Sequence, residues 1–147
     1  MTSGRREEVD VPFPNDADVL AMVDEFEACV WPYERWTHRA HVGVAVIYLR
    51  RWPLAQALDR MRHHINLYNR TLGDPAGYHE TITVLFLRRI AADLPARPAD
   101  EGIAATVEAL AGRYDMRWPL AYYSAGRLWS DEARRRWTEP DLKALDF

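Results

Sequence analysis

One segment of the sequence predicts a central helix: Trp36-Thr37-His38-Arg39-Ala40-His41-Val42-Gly43-Val44-Ala45-Val46-Ile47-Tyr48-Leu49. From His41 to Leu49 no side chain carries a formal charge. Helical periodicity places His38, Val42 and Leu49 on one stripe, and most of the remaining surface is apolar too. A helix that is apolar nearly all round is buried at the centre of its domain. The sequence therefore predicts a buried helix with two histidines at its start.

The composition is typical of a soluble globular domain. The chain has 147 residues, of which 48% are hydrophobic and 28% are charged, and this length is enough for one domain with a hydrophobic core. The 19 basic residues are outnumbered by 22 acidic ones, which gives a formal net charge of −3. This balance argues against a nucleic-acid surface, which depends on clustered positive charge. We expect a small molecule as the partner, and no nucleic acid.

Cysteine content and hydropathy predict the cellular compartment of the protein. The single cysteine, Cys29, cannot form an internal disulfide, so nothing indicates an oxidising compartment. The first ten residues are polar and lack the apolar stretch of a signal peptide. No run approaches the roughly 18 apolar residues that a transmembrane helix needs. We therefore expect a cytoplasmic protein without a membrane partner, and the sequence leaves a homo-oligomer open.

The periodicity of the whole chain predicts an all-α fold, a single-domain bundle of five to six helices. A flexible N-terminal arm is expected at residues 1–14, followed by one helical domain at residues 15–147. Shorter helical pieces are expected near residues 117–123 and 130–137. The up-down core is expected to consist of five helices near residues 17–30, 37–51, 53–72, 79–94 and 100–114.

Capping residues and prolines define the expected ends of these helices. Asn15 or Asp16 is the predicted cap of the first helix, and Pro32 is expected to end it. Thr37 and Asp100 are the predicted caps of the second and fifth helices. The third helix has the most regular apolar stripe, which consists of Leu54, Leu58, Met61, Ile65, Tyr68 and Leu72.

Polar residues cluster at one end of the predicted bundle. Short connections favour antiparallel neighbours, so the start of the second helix, the end of the third and the start of the fourth share one end. This argument depends on topology rather than on a sequence motif. The residues that it brings together are His38, His41, Tyr68, Asn69, Arg70, Tyr78, His79 and Glu80.

The histidines of this end suggest a metal site. His38 and His41 are three residues apart on one helix, a spacing that can chelate one ion, and His79 supplies a third imidazole. A helix N-terminus disfavours imidazolium, so these rings stay in the neutral form that ligates metals. The predicted cofactor is a divalent transition metal, with Zn, Fe, Cu, Ni and Mn all open. The chain has no nucleotide-cofactor motif, and the H-x-x-H pattern alone is a weak signal.

The remaining polar residues receive catalytic or binding roles in this hypothesis. Glu80 and His79 are the candidate catalytic pair, and the alternative for Glu80 is a favourable first-turn charge on its helix. Arg70 is expected to pair with Glu80 or to bind a substrate carboxylate. The structural alternative for His64 is a buried, hydrogen-bonded histidine. The candidate substrate-binding residues are Asn69, Arg70, Tyr68, Tyr78 and His64.

Three functions are therefore open at this point. The leading one is a small-molecule enzyme whose metal ion is held by His38, His41 and His79. The second is a metal-free acid–base enzyme that uses His79 and Glu80. The third is a helical domain that binds a ligand or a partner without catalysis.

Three segments of the chain resemble a family of small bacterial hypothetical proteins. The first is Trp36-Thr37-His38-Arg39-Ala40-His41, and the second is Gly77-Tyr78-His79-Glu80-Thr81-Ile82-Thr83. The third is Tyr122-Tyr123-Ser124, followed by Leu128-Trp129-Ser130-Asp131-Glu132-Ala133-Arg134. The resemblance spans most of the chain between Phe26 and Leu142. It implies a self-contained bacterial domain and carries no assigned activity.

Overall fold

The all-α class is confirmed in a computed structural model, which describes residues 7–147. Within that range the chain forms seven α-helices and no strand. Single 3-10 turns occur at Tyr33–Arg35, Leu94–Ala96 and Trp118–Ala121. None of the helices in this part of the chain combines the length and the apolar character that crossing a membrane requires. The α-helices are α1 (Asp16–Glu27), α2 (His38–Arg51), α3 (Leu54–Thr71), α4 (Glu80–Asp93), α5 (Ile103–Arg113), α6 (Ala125–Leu128) and α7 (Asp131–Arg135).

Helix α2 lies at the centre of the domain, as its apolar sequence predicts. Every residue from Val42 to Tyr48 is buried, and the helix contacts α1, α3, α4 and α5. Thr37 is its N-cap, because its hydroxyl oxygen accepts the backbone N–H of Ala40 at 3.3 Å. Leu49 is partly buried. The burial of α2 fixes the position of its two histidines relative to the other helices.

Helix α1 ends at Glu27, three residues before the expected end. Asn15 caps its start, as predicted, by accepting the N–H of Asp18. At the other end Cys29 adopts a φ of 60°, the left-handed region that glycine usually occupies after a helix. The N–H of Cys29 donates to the Phe26 carbonyl and that of Val30 donates to the Glu25 carbonyl. The helix therefore stops at this turn, because Cys29 takes the role of the missing glycine.

Helix α5 begins at Ile103, three residues after the predicted start, and Asp100 is not its cap. The acceptor at this N-terminus is Asp16 of α1, whose Oδ1 accepts the N–H of Ala104 at 2.9 Å. The Ala104 and Ile103 amides together lower the pKa of Asp16 below its ordinary value. A carboxylate supplied by another helix thus replaces the local cap, which a local sequence pattern cannot reveal.

Replacing Asp16 with alanine is expected to lower the melting temperature. The change removes the acceptor of the Ala104 N–H and a negative charge at the positive end of α5. Asp18→Ala is the matched control, since Asp18 is also in the first turn of α1 and is exposed. Thermal unfolding followed by circular dichroism measures both variants. Equal melting temperatures for the two variants would contradict the capping role of Asp16.

Three further features differ from the prediction. Leu54 and Leu72, the ends of the expected α3 stripe, are exposed, whereas Met61, Ile65 and Tyr68 in its middle are buried. The last helix starts after the Ser130 cap, as expected, but ends at Arg135 instead of Trp137. Helix α6 is an additional single turn that the sequence pattern did not reveal.

The predicted N-terminal arm lies partly outside the described residues, which begin at residue 7. The remainder of the arm contacts the helical body. The N–H of Val9 donates to the Glu34 carbonyl at 2.8 Å, and Asp10 forms an ion pair with Arg39. Phe13 packs against the core beside Trp31. These contacts bring residues 7–14 against the start of α2.

Candidate functional site

The start of α2, the end of α3 and the start of α4 line a common cavity of about 470 Å³. The antiparallel arrangement of short-connected helices predicts this meeting point. The cavity walls are mainly apolar, with Val42, Ile65, Ile82 and Phe86 among them. Its volume is typical of small-molecule sites. The predicted site residues that line the cavity are His38, His41, Asn69, Tyr78 and His79.

His38 presents a basic nitrogen at this cavity. Its Nε2 donates to the backbone carbonyl of Tyr114 at 2.7 Å, so Nδ1 carries the lone pair of the neutral ring. Nδ1 makes no hydrogen bond with the described residues. Burial lowers the pKa of His38, and this effect outweighs the opposing influence of the Tyr114 carbonyl. The ring is therefore neutral at pH 7, with Nδ1 as its acceptor atom.

His41 is oriented in the same way by its own helix. Its Nδ1 donates to the backbone carbonyl of Thr37 at 2.7 Å. The ring stacks on Trp36, with the two ring centroids 3.7 Å apart. Trp36 also stacks on the buried Phe26. A backbone carbonyl and an aromatic stack thus hold the imidazole against one wall of the cavity.

Asn69 places an amide in the cavity without a protein partner. The residue is only 6% exposed, yet neither amide atom is hydrogen-bonded to a described residue. The turn after α3 packs closely on this amide. A Cβ on Gly73 would lie 2.9 Å from Oδ1, and one on Gly77 would lie 3.4 Å from Nδ2. Because the amide lines the cavity and can both donate and accept, it is a candidate ligand contact.

His79 lines the cavity, but both of its ring nitrogens are hydrogen-bonded. Nε2 donates to the backbone carbonyl of Leu128 at 2.6 Å. Nδ1 accepts the N–H of Ile82 at 3.1 Å, which makes His79 the N-cap of α4. The residue is 6% exposed, and burial lowers its pKa. In this arrangement neither nitrogen is open to a metal ion or to a transferred proton.

Glu80 does not line the cavity, and two partners hold its carboxylate. Arg62 donates to both carboxylate oxygens, with Nε 3.0 Å from each, and the Tyr78 hydroxyl donates at 2.5 Å. Burial by itself would raise the pKa of Glu80. The hydrogen bonds from Arg62 and Tyr78 more than offset burial and lower that pKa. The carboxylate is therefore ionised and anchors α4 to α3.

Three of the predicted substrate-binding residues lie away from the cavity lining. Tyr68 is buried, and its hydroxyl donates to the backbone carbonyl of Trp31 at 2.6 Å. Arg70 is exposed, and the expected pair with Glu80 is wrong because Arg62 takes that position. His64 packs between Phe26 and Tyr48, with Nε2 3.6 Å from a Glu27 oxygen. Tyr68 and His64 therefore contribute to helix packing, and Arg70 lies on the surface.

The predicted metal site stays a prediction. Among residues 7–147, no three or more His, Cys, Asp or Glu side chains form a group that could hold an ion. His38 and His41 each give a ring N–H to a backbone carbonyl, an orientation that is also common for metal ligands. These two imidazoles are fewer than the three protein ligands typical of a catalytic zinc site.

Several lining residues were not identified as site residues from the sequence. Phe86 lies beside His38, with 5.0 Å between the ring centroids. Trp129 meets His79 edge-on and is 45% exposed. Arg134 is half-buried and also lines the cavity. The other lining residues not identified are Glu8, Asp74 and Met116.

Acid is expected to destabilise the fold through three histidines, of which His79 is buried and His38 and His64 are partly buried. Burial lowers the pKa of His38, His64 and His79 in the folded state, so the unfolded chain binds more protons. The neutral rings contribute fully to the free energy of unfolding above about pH 6.5, which is the histidine pKa in the unfolded chain. This contribution is lost as the pH falls from there through the lower pKa values of the folded protein. Urea denaturation at pH 7.5, 6.5 and 5.5 should give a decreasing free energy of unfolding. A free energy that increases over this range would contradict the assignment.

Comparison with known proteins identifies neither a family nor a similar structure for this chain. The resemblance to a bacterial family therefore stays a prediction. No protein-family model, curated protein or solved structure matches the sequence or the fold.

Proposed function

We propose that the protein binds a small, largely apolar molecule in the cavity between α2, α3 and α4. The observation that carries this proposal is Asn69, a buried amide that lines the cavity without a protein partner. The Asn69 amide has both a donor and an acceptor to offer a ligand in the cavity.

The shape and chemistry of the cavity support the same function. A volume of about 470 Å³ lies within the usual range of sites for small organic molecules. Apolar and aromatic side chains, including Phe86 and Trp36, form most of the wall. Three of the polar lining residues, His38, His41 and His79, are fixed by hydrogen bonds to backbone carbonyls, as in sites that orient a ligand by a few hydrogen bonds.

A panel of three small molecules tests this proposal directly. Indole, ethylbenzene and cyclohexanol are titrated into ¹⁵N-labelled protein, and the amide resonances are followed. We expect saturable shifts at the residues that line the cavity. Ala45→Leu, which fills the cavity from α2, should weaken binding at least about tenfold. Ala55→Leu is the control, because Ala55 is exposed on α3.

Two outcomes would overturn the proposal. The first is the absence of saturable binding for all three compounds in the parent protein. The second is binding that Ala45→Leu and Ala55→Leu weaken equally. In either case the cavity would be a packing defect or a space for water instead of a ligand site.

The enzyme functions expected from the sequence remain open as hypotheses. The hydrogen bonds of His79 and Glu80 favour structural roles for this pair over acid–base roles. His38 is the better placed proton acceptor, because its Nδ1 is open. The cytoplasmic location, the homo-oligomer and the bound metal stay predictions.

A further inference from the structure

Resting on the binding function proposed above, we propose the class of the ligand. It is a neutral molecule with an apolar ring and a hydroxyl group, and the hydroxyl donates a hydrogen bond to Nδ1 of His38.

The hydrogen bond to Tyr114 makes His38 an acceptor. A carbonyl oxygen can only accept, so the proton of the neutral ring lies on Nε2, 2.7 Å from that oxygen. Nδ1 therefore presents a lone pair and cannot donate. A ligand that pairs with this atom must bring an O–H or an N–H.

Asn69 favours a hydroxyl as the donor group of the ligand. Its amide offers both a donor and an acceptor, and both atoms lack partners among the described residues. A hydroxyl has one donor and two lone pairs, so it can donate to Nδ1 of His38 and still accept from a donor such as the Asn69 amide. A ligand amide donates through its nitrogen and accepts only through a separate oxygen. The hydroxyl is therefore one small group that offers both functions.

The two buried polar side chains of the lining, Asn69 and His79, offer no formal charge to an ion. His79 uses both ring nitrogens within the protein, and the Nε2 bond to Tyr114 leaves the neutral His38 ring with a lone pair on Nδ1. A carboxylate placed against Nδ1 would meet a lone pair instead of a proton. The charged lining residues Glu8 and Asp74 are exposed and Arg134 is half-buried, so their charges are screened by water. A neutral ligand is the form that the buried part of this site accommodates.

The walls beside His38 indicate a ring. The Phe86 ring centroid lies 5.0 Å from that of His38, and Trp36, Ile65 and Ile82 continue the lining. Aromatic and alicyclic rings are rigid, so they bury much apolar area against such walls at a low cost in conformational entropy. The ring supplies most of the affinity, and the hydroxyl supplies orientation.

Three matched compounds separate the ligand class from the existence of the site. They are 4-ethylphenol, ethylbenzene and 4-ethylbenzoate, which share a ring and an ethyl group. Dissociation constants at pH 7.5 are measured from amide shifts of the ¹⁵N-labelled protein. We expect 4-ethylphenol to bind about tenfold tighter than ethylbenzene, the value of one good hydrogen bond. We expect 4-ethylbenzoate to bind weakest.

The variant His38→Phe tests the role of Nδ1. It keeps an aromatic ring and removes the acceptor, so ethylbenzene should still bind and the preference for 4-ethylphenol should fall to about twofold or less. Retained ethylbenzene binding shows that the cavity is intact. His63→Phe is the matched control, because His63 is exposed on α3, and it should keep the tenfold preference.

The outcomes distinguish the two proposals. If none of the three compounds binds, the proposed binding function fails. If ethylbenzene binds as tightly as 4-ethylphenol, the cavity binds ligands but the hydroxyl assignment is wrong. Tightest binding by 4-ethylbenzoate, or a tenfold preference that survives His38→Phe, would also overturn the assignment.

Discussion

Replacing His79 with alanine is expected to lower the free energy of unfolding by about 3 kcal/mol. The change removes the N-cap of α4, since His79 accepts the Ile82 N–H. It also leaves the buried carbonyl of Leu128 without its donor. The loss of a cap costs about 1 kcal/mol, and a buried unsatisfied group adds about 1–3 kcal/mol. Urea denaturation followed by circular dichroism measures the sum.

Two further variants identify the cause of this loss. Asparagine is a good N-cap residue, so His79→Asn should recover about 1 kcal/mol of the loss in His79→Ala. His63→Ala removes an exposed imidazole and should stay within about 0.5 kcal/mol of the parent protein. If His79→Ala unfolds like His63→Ala, the structural role of His79 is wrong.

The second large effect is expected for Glu80→Gln, which should destabilise the protein by about 2 kcal/mol. The change removes the charge that pairs with Arg62 and weakens the bond from Tyr78. The Glu80 side chain is 12% exposed and that of Arg62 is 39% exposed. Water screens the arginine end, so the loss is smaller than the 3–5 kcal/mol known for fully buried pairs.

A surface ion pair is the matched control for this prediction. Glu108 pairs with Arg39, but its side chain is 52% exposed. Glu108→Gln should therefore cost less than about 1 kcal/mol. The double variant of Arg62→Gln with Glu80→Gln should be more stable than additive losses predict. Equal losses for Glu80→Gln and Glu108→Gln would contradict the anchoring role of Glu80.

The sequence predicts the architecture well because one helix dominates it. The apolar run from Val42 to Tyr48 is buried on every side, and that burial requires helices around α2. The positions of α3 and α4 follow from their apolar periodicity and from Pro53 and Gly77. Local caps such as Thr37 and Ser130 mark helix starts correctly, because each acts on its own backbone.

The prediction of helix ends fails where the group that stabilises the end is distant in sequence or is an unusual residue. The Asp16 carboxylate caps α5 from a helix that lies 88 residues earlier in the chain. Cys29 adopts the left-handed conformation that sequence rules assign to glycine or asparagine. Neither interaction has a local signature, so the C-terminal end of α1 and the start of α5 are each predicted three residues away from their positions.

The location of the candidate site is predictable, but the roles of its residues are not. Antiparallel helices bring His38, Asn69 and His79 to one cavity. Whether a histidine is open or already hydrogen-bonded depends on distant carbonyls, such as those of Tyr114 and Leu128. These partners lie 76 and 49 residues away in the chain. From sequence spacing alone, the imidazoles of His38, His41 and His79 are equivalent candidates. The structure distinguishes them by their hydrogen bonds.

The most direct test of the account is the long-range ¹H–¹⁵N spectrum of the histidine rings during a titration with 4-ethylphenol at pH 7.5. We predict that His38 carries its proton on Nε2 and that its Nδ1 resonance moves on binding. The ¹⁵N resonances of the His79 ring should not shift, because both nitrogens are hydrogen-bonded to the protein. A proton on Nδ1 of His38, or a shift at His79 instead, would contradict the assignment of the cavity.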